Sequence, residues 1–256
     1  MSWRPALSIL LLALALPASA AQEKGAALPF GPGEELIYRV TALGMTAGRA
    51  RIAVGLPEKR GEVEAWPVVV QARTDSFFDS IYRVRDRFVT WWSPADGRVL
   101  GAEFHADEGG ERRRSRTRLD HARGVAEVER QRAGERSRAT YAIPAGAYDI
   151  AGAIFALRRT PLAPGTVEEL DVFTGRKVFR LRCTAVGVET VQTGAGSFEA
   201  IATRIELGFD GPFASKRDVR AWFSNDARRI PLRFEAELAL GTLVADLLER
   251  PGALRP

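Results

Sequence analysis

The sequence predicts an all-β, mainly antiparallel fold: a strongly curved sheet or incomplete β-barrel with one central helix, about residues 148–158, packed on its concave face. Three observations predict it. Most segments alternate apolar and polar residues with a period of two, as half-buried strands do. Nearly all of these segments end at a short Gly, Asn-Asp or Asp-Gly turn, and short connections make antiparallel neighbours. Only one stretch of useful length carries helical signals. A dozen or more strands cannot stay flat, because strands twist, so the sheet must roll.

The chain opens with a targeting segment. Arg4 precedes the apolar run Leu7 to Leu16, and Pro17-Ala18-Ser19-Ala20 supplies the small residues of a cleavage site after Ala20 or Ala21. The run is shorter than the roughly 20 residues a membrane helix needs. Residues 1–21 are therefore expected to be a signal peptide, 22–29 a flexible lead-in, 30–250 a single β-rich domain and 251–256 a tail. The mature protein is expected in a bacterial periplasm. No lipid anchor is expected, because no Cys follows the cleavage region, and no transmembrane helix. Loss of Arg4 lowers the formal net charge of +5 by one. Cys183 is the single cysteine, so no intramolecular disulfide forms; alternating with Phe179 and Leu181, it reads as a buried thiol.

The mature domain begins with a strand in which Leu36, Tyr38, Val40 and Ala42 face one way, returning through Gly44 and Gly48 to 49–54. Residues 67–74 continue with Val68, Val70 and Ala72 inward. Phe77, Phe78, Ile81 and Tyr82 break the alternation and share one face of a short helical turn. Residues 84–92 and 99–105 form a hairpin about Pro94-Ala95-Asp96-Gly97. Residues 112–140 read as two or three long polar strands, with Arg112, Arg114, Arg116 and Arg118 on one face. Ten Arg stand in residues 112–138 against Asp120, Glu127, Glu129 and Glu135. Such a ribbon suits a solvated rim or edge, where like charges deter aggregation.

The helix follows. Asp149 suits the N-cap; Ile150, Ile154 and Leu157 share a face with Phe155 beside it; Arg158 and Arg159 complement the negative end of the dipole. Pro161 and Pro164 end it. Strands then follow at 167–173, 177–187, 198–207, 216–224, 230–238 and 242–249, separated by turns that include Asp210-Gly211-Pro212 and Asn225-Asp226.

Several pieces together resemble a known family. They are Phe30-Gly31-Pro32-Gly33-Glu34-Glu35-Leu36-Ile37-Tyr38 with Gly44 and Ala47-Gly48, then Tyr148-Asp149-Ile150 with Leu157-Arg158. Glu189-Thr190-Val191, Gly196-Ser197-Phe198-Glu199-Ala200, Ala221-Trp222-Phe223-Ser224-Asn225-Asp226 and Arg229-Ile230-Pro231-Leu232 complete the set. The chain resembles the bacterial exported proteins of domain of unknown function 3108 over residues 30–249. The resemblance implies export and the β fold, and no catalytic residue. Gly152-Ala153 stands where the pattern has a Ser-Ala pair, and the Arg ribbon lies outside the pattern.

The chemistry-bearing residues point away from catalysis. His105 and His121 are sixteen residues apart with no Cys ligand near, so no metal is expected. No nucleophile elbow, Ser-x-x-Lys, His-Glu-x-x-His or phosphate loop occurs. Glu34-Glu35 and Glu168-Glu169 are strand neighbours that point to opposite faces and cannot share a proton. The expectation is therefore a non-catalytic protein without a cofactor. Its concave side would bind a lipid or other amphiphile through Phe77, Phe78, Ile81, Tyr82 and Phe88, with Trp92, Phe104, Ile154, Phe155 and Trp222 completing the lining. Residues of these types also serve as plain core filling. Arg112, Arg114, Arg116 and Arg118 would meet phosphate headgroups, an anionic membrane surface or an envelope protein, and otherwise form a solvated face. The alternative is a structural or interaction factor of the cell envelope that docks through this ribbon or a sheet edge. Export leaves nucleic acid out as a partner.

Overall fold

The structure, a computed structural model, describes residues 28–207, 219–238 and 241–251. The expected signal peptide 1–21, most of the lead-in, the Asp210-Gly211-Pro212 turn, the strand start at 216–218 and tail residues 252–256 lie outside the described residues. The elements are β1 (Glu35–Ala42), β2 (Met45–Val54), β3 (Glu58–Arg60), β4 (Val63–Thr74), α1 (Ser76–Tyr82), β5 (Arg85–Trp92), β6 (Val99–Glu108), β7 (Glu111–Asp120), β8 (Val125–Arg132) and β9 (Glu135–Ala142). Then come α2 (Ile150–Arg159), β10 (Val167–Phe173), β11 (Val178–Thr193), β12 (Gly196–Leu207), β13 (Val219–Ser224), β14 (Pro231–Leu238) and β15 (Gly241–Glu249).

Hairpin follows hairpin, as the short turns require. The ladder runs β10-β11-β12-β13-β14-β15-β1-β2-β4-β5-β6-β7-β8-β9, with β3 paired to β4 alone. The last strand joins the first: Tyr38 lies opposite Leu247 and Val40 opposite Ala245. The two edges, β9 and β10, therefore fall in the middle of the chain, on either side of α2. Twist rolls these edges towards each other. The seam between them closes without a ladder. Tyr141 of β9 meets Phe173 of β10 at 5.6 Å between ring centroids, and Arg130 donates to the Gly175 carbonyl. Tyr148, just before α2, adds one parallel bridge to β10, its amide on Asp171 O at 2.9 Å and its carbonyl accepting Phe173 N at 2.7 Å.

The expected helix sits on the concave side. The Asp149 carboxylate accepts the Gly152 amide at 2.7 Å, and the helix ends before Pro161. Which face is buried differs from the sequence expectation. Ile150 is 55% exposed, while Phe155, Leu157 and Arg158 are fully buried. Phe155 is held edge-on by Phe30 at 4.5 Å, and Phe30 in turn meets Trp92 at 5.6 Å. Aromatic pairs of this geometry outcompete a lone Ile for the packed side. The helix lies close on β6: a Cβ at Gly152 would stand 2.3 Å from Val99 Cγ2, so the position takes no larger residue without movement.

Arg158 is not a surface cation at the end of the helix dipole. It is completely buried and forks onto Glu34, Nη1 to Oε1 at 2.5 Å and Nη2 to Oε2 at 2.9 Å. Its remaining donors reach the Pro29 and Arg228 carbonyls at 3.0 and 3.2 Å. One guanidinium thus ties α2 to the turn before β1 and to the β13–β14 turn. Arg228 also reaches Glu34, at 3.6 Å, so removing Arg158 leaves the buried carboxylate with only this more distant cation, a loss of up to about 3–5 kcal/mol. Arg158→Ala should lower the unfolding free energy by that amount in urea titration. Replacing Glu34 and Arg158 together by Leu and Met should recover most of the loss; a double variant as unstable as the single would show that the pair is not the source.

Candidate ligand-binding cleft

Period-two alternation turns one side of β2, β4, β5, β6 and β7 towards the inside of the roll. There Ile52, Val70, Phe88, Phe104 and Leu119 form walls, and Ile150, Ala151 and Ile154 of α2 form a floor. The β10–β11 turn, Phe173 to Gly175, closes one side. The result is an apolar cleft of about 420 Å³, within the range of small-molecule sites. Phe88 and Phe104 face each other at 6.2 Å. A wider hollow of about 890 Å³ lies among charged residues, including Arg83, Asp107, Arg112 and Arg132 at the β6–β7 and β8–β9 turns.

Two carboxyl groups in this interior have shifted acidities. Asp149 lines the cleft and is buried, which raises its pKa from 3.8 to about 6; the Thr90 hydroxyl and the Gly152 and Ala151 amides partly oppose this. Its Oδ2 has no hydrogen-bond partner. Asp86 lies two residues before Phe88 on the same side of β5. Desolvation raises its pKa first, and the neighbouring Glu108 raises it further. Glu108 is ion-paired to Arg113.

The structure brings together Phe88, Phe104 and Ile154 of the residues expected to line a binding surface. It places the others elsewhere. Trp92, Phe155 and Trp222 are core residues; Trp222 donates its ring N–H to Glu189 at 2.5 Å. Phe77, Phe78, Ile81 and Tyr82 ride on α1, outside the cleft, with Ile81 65% exposed. Asp75 caps α1, and Asp79 binds Thr74 and Arg85, so the turn is pinned facing outward. Arg112, Arg114, Arg116 and Arg118 occupy the outer face of β7. Arg112, Arg116 and Arg118 meet Asp107, Glu103 and Glu127 at 3.5, 2.8 and 3.9 Å, so cross-strand carboxylates offset much of the charge.

His105 stands opposite Arg114 on β6. His121 is a strut: one ring nitrogen lies 2.7 Å from the Val99 carbonyl and the other accepts the Gly146 amide at 3.3 Å. It fixes the approach to α2. Among the described residues no group of three or more His, Cys, Asp and Glu could hold a metal ion. Cys183 is buried and pushed up to about 11 by desolvation. Sequence reasoning missed Asp149 as a lining residue, because a helix cap explained it fully. It read Val70 as inward but left it, with Ile52 and Leu119, out of the expected lining.

Comparison with known proteins agrees with this architecture. Residues 37–248 match the model of DUF3108, proteins of unknown function. No curated protein matches. Among solved structures, a β-barrel-like DUF1849 protein from Brucella abortus is 12% identical with a TM-score of 0.57, over 87% of this chain and 98% of its own. At that identity the likeness concerns fold alone. A protein described as exported, with a YmcC-like fold, from Bacteroides fragilis matches at 15% identity and TM-score 0.34, over 87% and 97% of the two chains. A protein described as a lipoprotein from Parabacteroides distasonis matches at 12% and 0.32, over 89% and 100%.

The Asp149 shift has a sign that can be measured. The folded chain keeps this proton up to about pH 6, whereas the unfolded chain releases it near 3.8. Between those values the folded state binds more protons, so stability falls as pH rises. Asp149→Asn retains a capping oxygen and removes the titration. Its unfolding free energy from urea titration should gain on wild type between pH 4 and pH 7, by up to roughly 3 kcal/mol; parallel pH profiles would show that Asp149 titrates normally.

Proposed function

The chain belongs to the DUF3108 family, and from that premise we propose that it is an extracytoplasmic, non-catalytic binding protein that houses the aliphatic part of a lipid or other amphiphile. The observation that carries this reading is the apolar cleft itself. Its lining is aliphatic and aromatic, with Ser115, Thr117, Asp149 and Thr174 as the residues with polar side chains. Phe155 is locked in the core, so the space lies on the Ile150–Ile154 side of the helix. The signal-like start of the sequence supports a periplasmic location. Among the described residues no helix is long and apolar enough to cross a membrane.

Docking to an envelope partner through the Arg ribbon has less support, because carboxylates on β6 and β8 already face three of its four arginines. The ribbon's remaining role in this reading is to keep the β7–β9 sheet soluble.

Each methylene withdrawn from water contributes about 0.8 kcal/mol. Affinity for straight-chain alcohols, read by displacement of N-phenyl-1-naphthylamine, should rise roughly tenfold per two carbons until the cleft is full. Ile154→Trp should fill the floor and weaken probe binding at least about tenfold, with an unchanged melting temperature. Phe77→Ser, on α1, should leave it unaltered. Probe binding that survives Ile154→Trp and disappears in Phe77→Ser would move the site to α1 and end the cleft reading.

A further inference from the structure

Four arginines stand abreast on the outer face of β1, β2, β4 and β5. Arg39 lies opposite Arg49, Arg49 opposite Arg73, and Arg73 opposite Arg85. Like charges directly opposite each other in a ladder are destabilising. Carboxylates relieve the β7 row but not this one. Among the described residues Arg85 alone of the four has an ion pair, to Asp79. Asp246, opposite Arg39 on β15, is bound to Arg233 instead. Arg51 and Arg87, two residues along on the same face, widen the row into a groove of about 450 Å³.

An apolar rim adjoins the row. Arg85 donates to Asp79 of α1 at 2.9 Å, and the Asp75 amide donates to the Ala47 carbonyl of β2 at 3.0 Å. The helix therefore sits beside both the arginines and the β1–β2 turn. Phe77, Ile81 and Tyr82 of α1 are exposed, as are Leu43 and Met45 at that turn. No residue of α1 is buried, and its two carboxylates are occupied, Asp75 by the Phe78 amide and Asp79 by Thr74 and Arg85. Large apolar side chains clustered in water mark a contact surface.

A row of unneutralised arginines edged by aromatic and aliphatic side chains has the two chemistries of a lipid surface. Phosphates meet the guanidinium groups, and the apolar side chains enter the boundary between headgroups and acyl chains. A soluble polyanion would use the arginines and leave α1 in water. We propose that the outer face of β1, β2, β4 and β5, together with α1, docks onto an anionic lipid bilayer. The surface is separate from Arg112, Arg116 and Arg118, and it does not depend on what fills the cleft.

The test is co-sedimentation of the purified chain with vesicles. Vesicles of phosphatidylglycerol and phosphatidylethanolamine should bind it, less so as salt rises, and vesicles of phosphatidylcholine alone should not. Each arginine held against an anionic surface contributes about fivefold, so Arg39→Ala, Arg49→Ala and Arg73→Ala combined should weaken binding about a hundredfold. Relief of repulsion should hold or raise the melting temperature of that variant. Arg176→Ala, Arg180→Ala and Arg182→Ala, an equal charge loss on β11 and the turn before it, should cost less than about threefold. Phe77→Ser with Ile81→Ser should weaken vesicle binding at least about tenfold. Equal binding to both kinds of vesicle, or equal losses in the two arginine variants, overturns the docking surface. Binding unchanged by the α1 variant also overturns it, in favour of a surface for soluble polyanions. Uptake of N-phenyl-1-naphthylamine by the same samples keeps the two readings apart. Probe uptake without vesicle binding sinks the docking surface alone, and vesicle binding without probe uptake upholds it while sinking the cleft.

Discussion

Everything in this fold follows from the seam between β9 and β10. A meander whose last strand pairs with its first has its two free edges where the chain is cut in the middle, and here a helix occupies that cut. The edges cannot join by a ladder while Pro144 to Thr166 must pass between them. Unpaired edges are a liability in any sheet. In this one, Tyr148 bonds to part of β10, and Tyr141, Phe173 and Arg130 bridge the remaining gap with side chains. The helix is thereby forced inside, and its length sets how much of the interior is filled.

That placement explains the buried Arg158–Glu34 pair. A helix lying across the mouth of a roll needs an anchor at each end. At its start Asp149 caps and Tyr148 bonds to β10. At its end a forked guanidinium reaches two separate segments, the turn before β1, through the Pro29 carbonyl and the Glu34 carboxylate, and the β13–β14 turn, through the Arg228 carbonyl. No hydrophobic side chain could hold two backbone segments and a carboxylate with fixed geometry. The pair is weak as a source of net stability and strong as a specifier of where the helix end sits.

Much of this was legible in the sequence for a physical reason. Alternation is a direct imprint of the pleat, so the strands, their inner faces and the hairpin at Gly97 could be read off. The cap at Asp149 and the stop at Pro161 are local chemistry and were equally plain. The α1 turn was visible from Phe77, Phe78, Ile81 and Tyr82, but its outward aim was not, because Asp79 with Thr74 and Arg85 sets it. The pairing of β15 with β1 carries no local signal at all. The same holds for Arg158: a cation in a last helical turn looks like a dipole partner until Glu34, distant in sequence, is brought beside it. The three-residue β3 was too short to leave a period.

The least legible feature is the one that matters most for function. Helix α2 is apolar on two faces, and periodicity cannot say which is packed and which is open. The structure gives Phe155 and Leu157 to the core and leaves Ile150 and Ile154 facing Phe88 and Phe104 across free space. The core had the means to close that space. One larger side chain at Ala102 or Ala151, both in the lining, would reduce it. Instead both positions are Ala, and the neighbouring Gly152 lets the helix sit back against Val99. Small residues on the helix and the wall, large ones deeper in the core, and a single buried carboxylate between them is the distribution expected when an interior is kept open for an occupant.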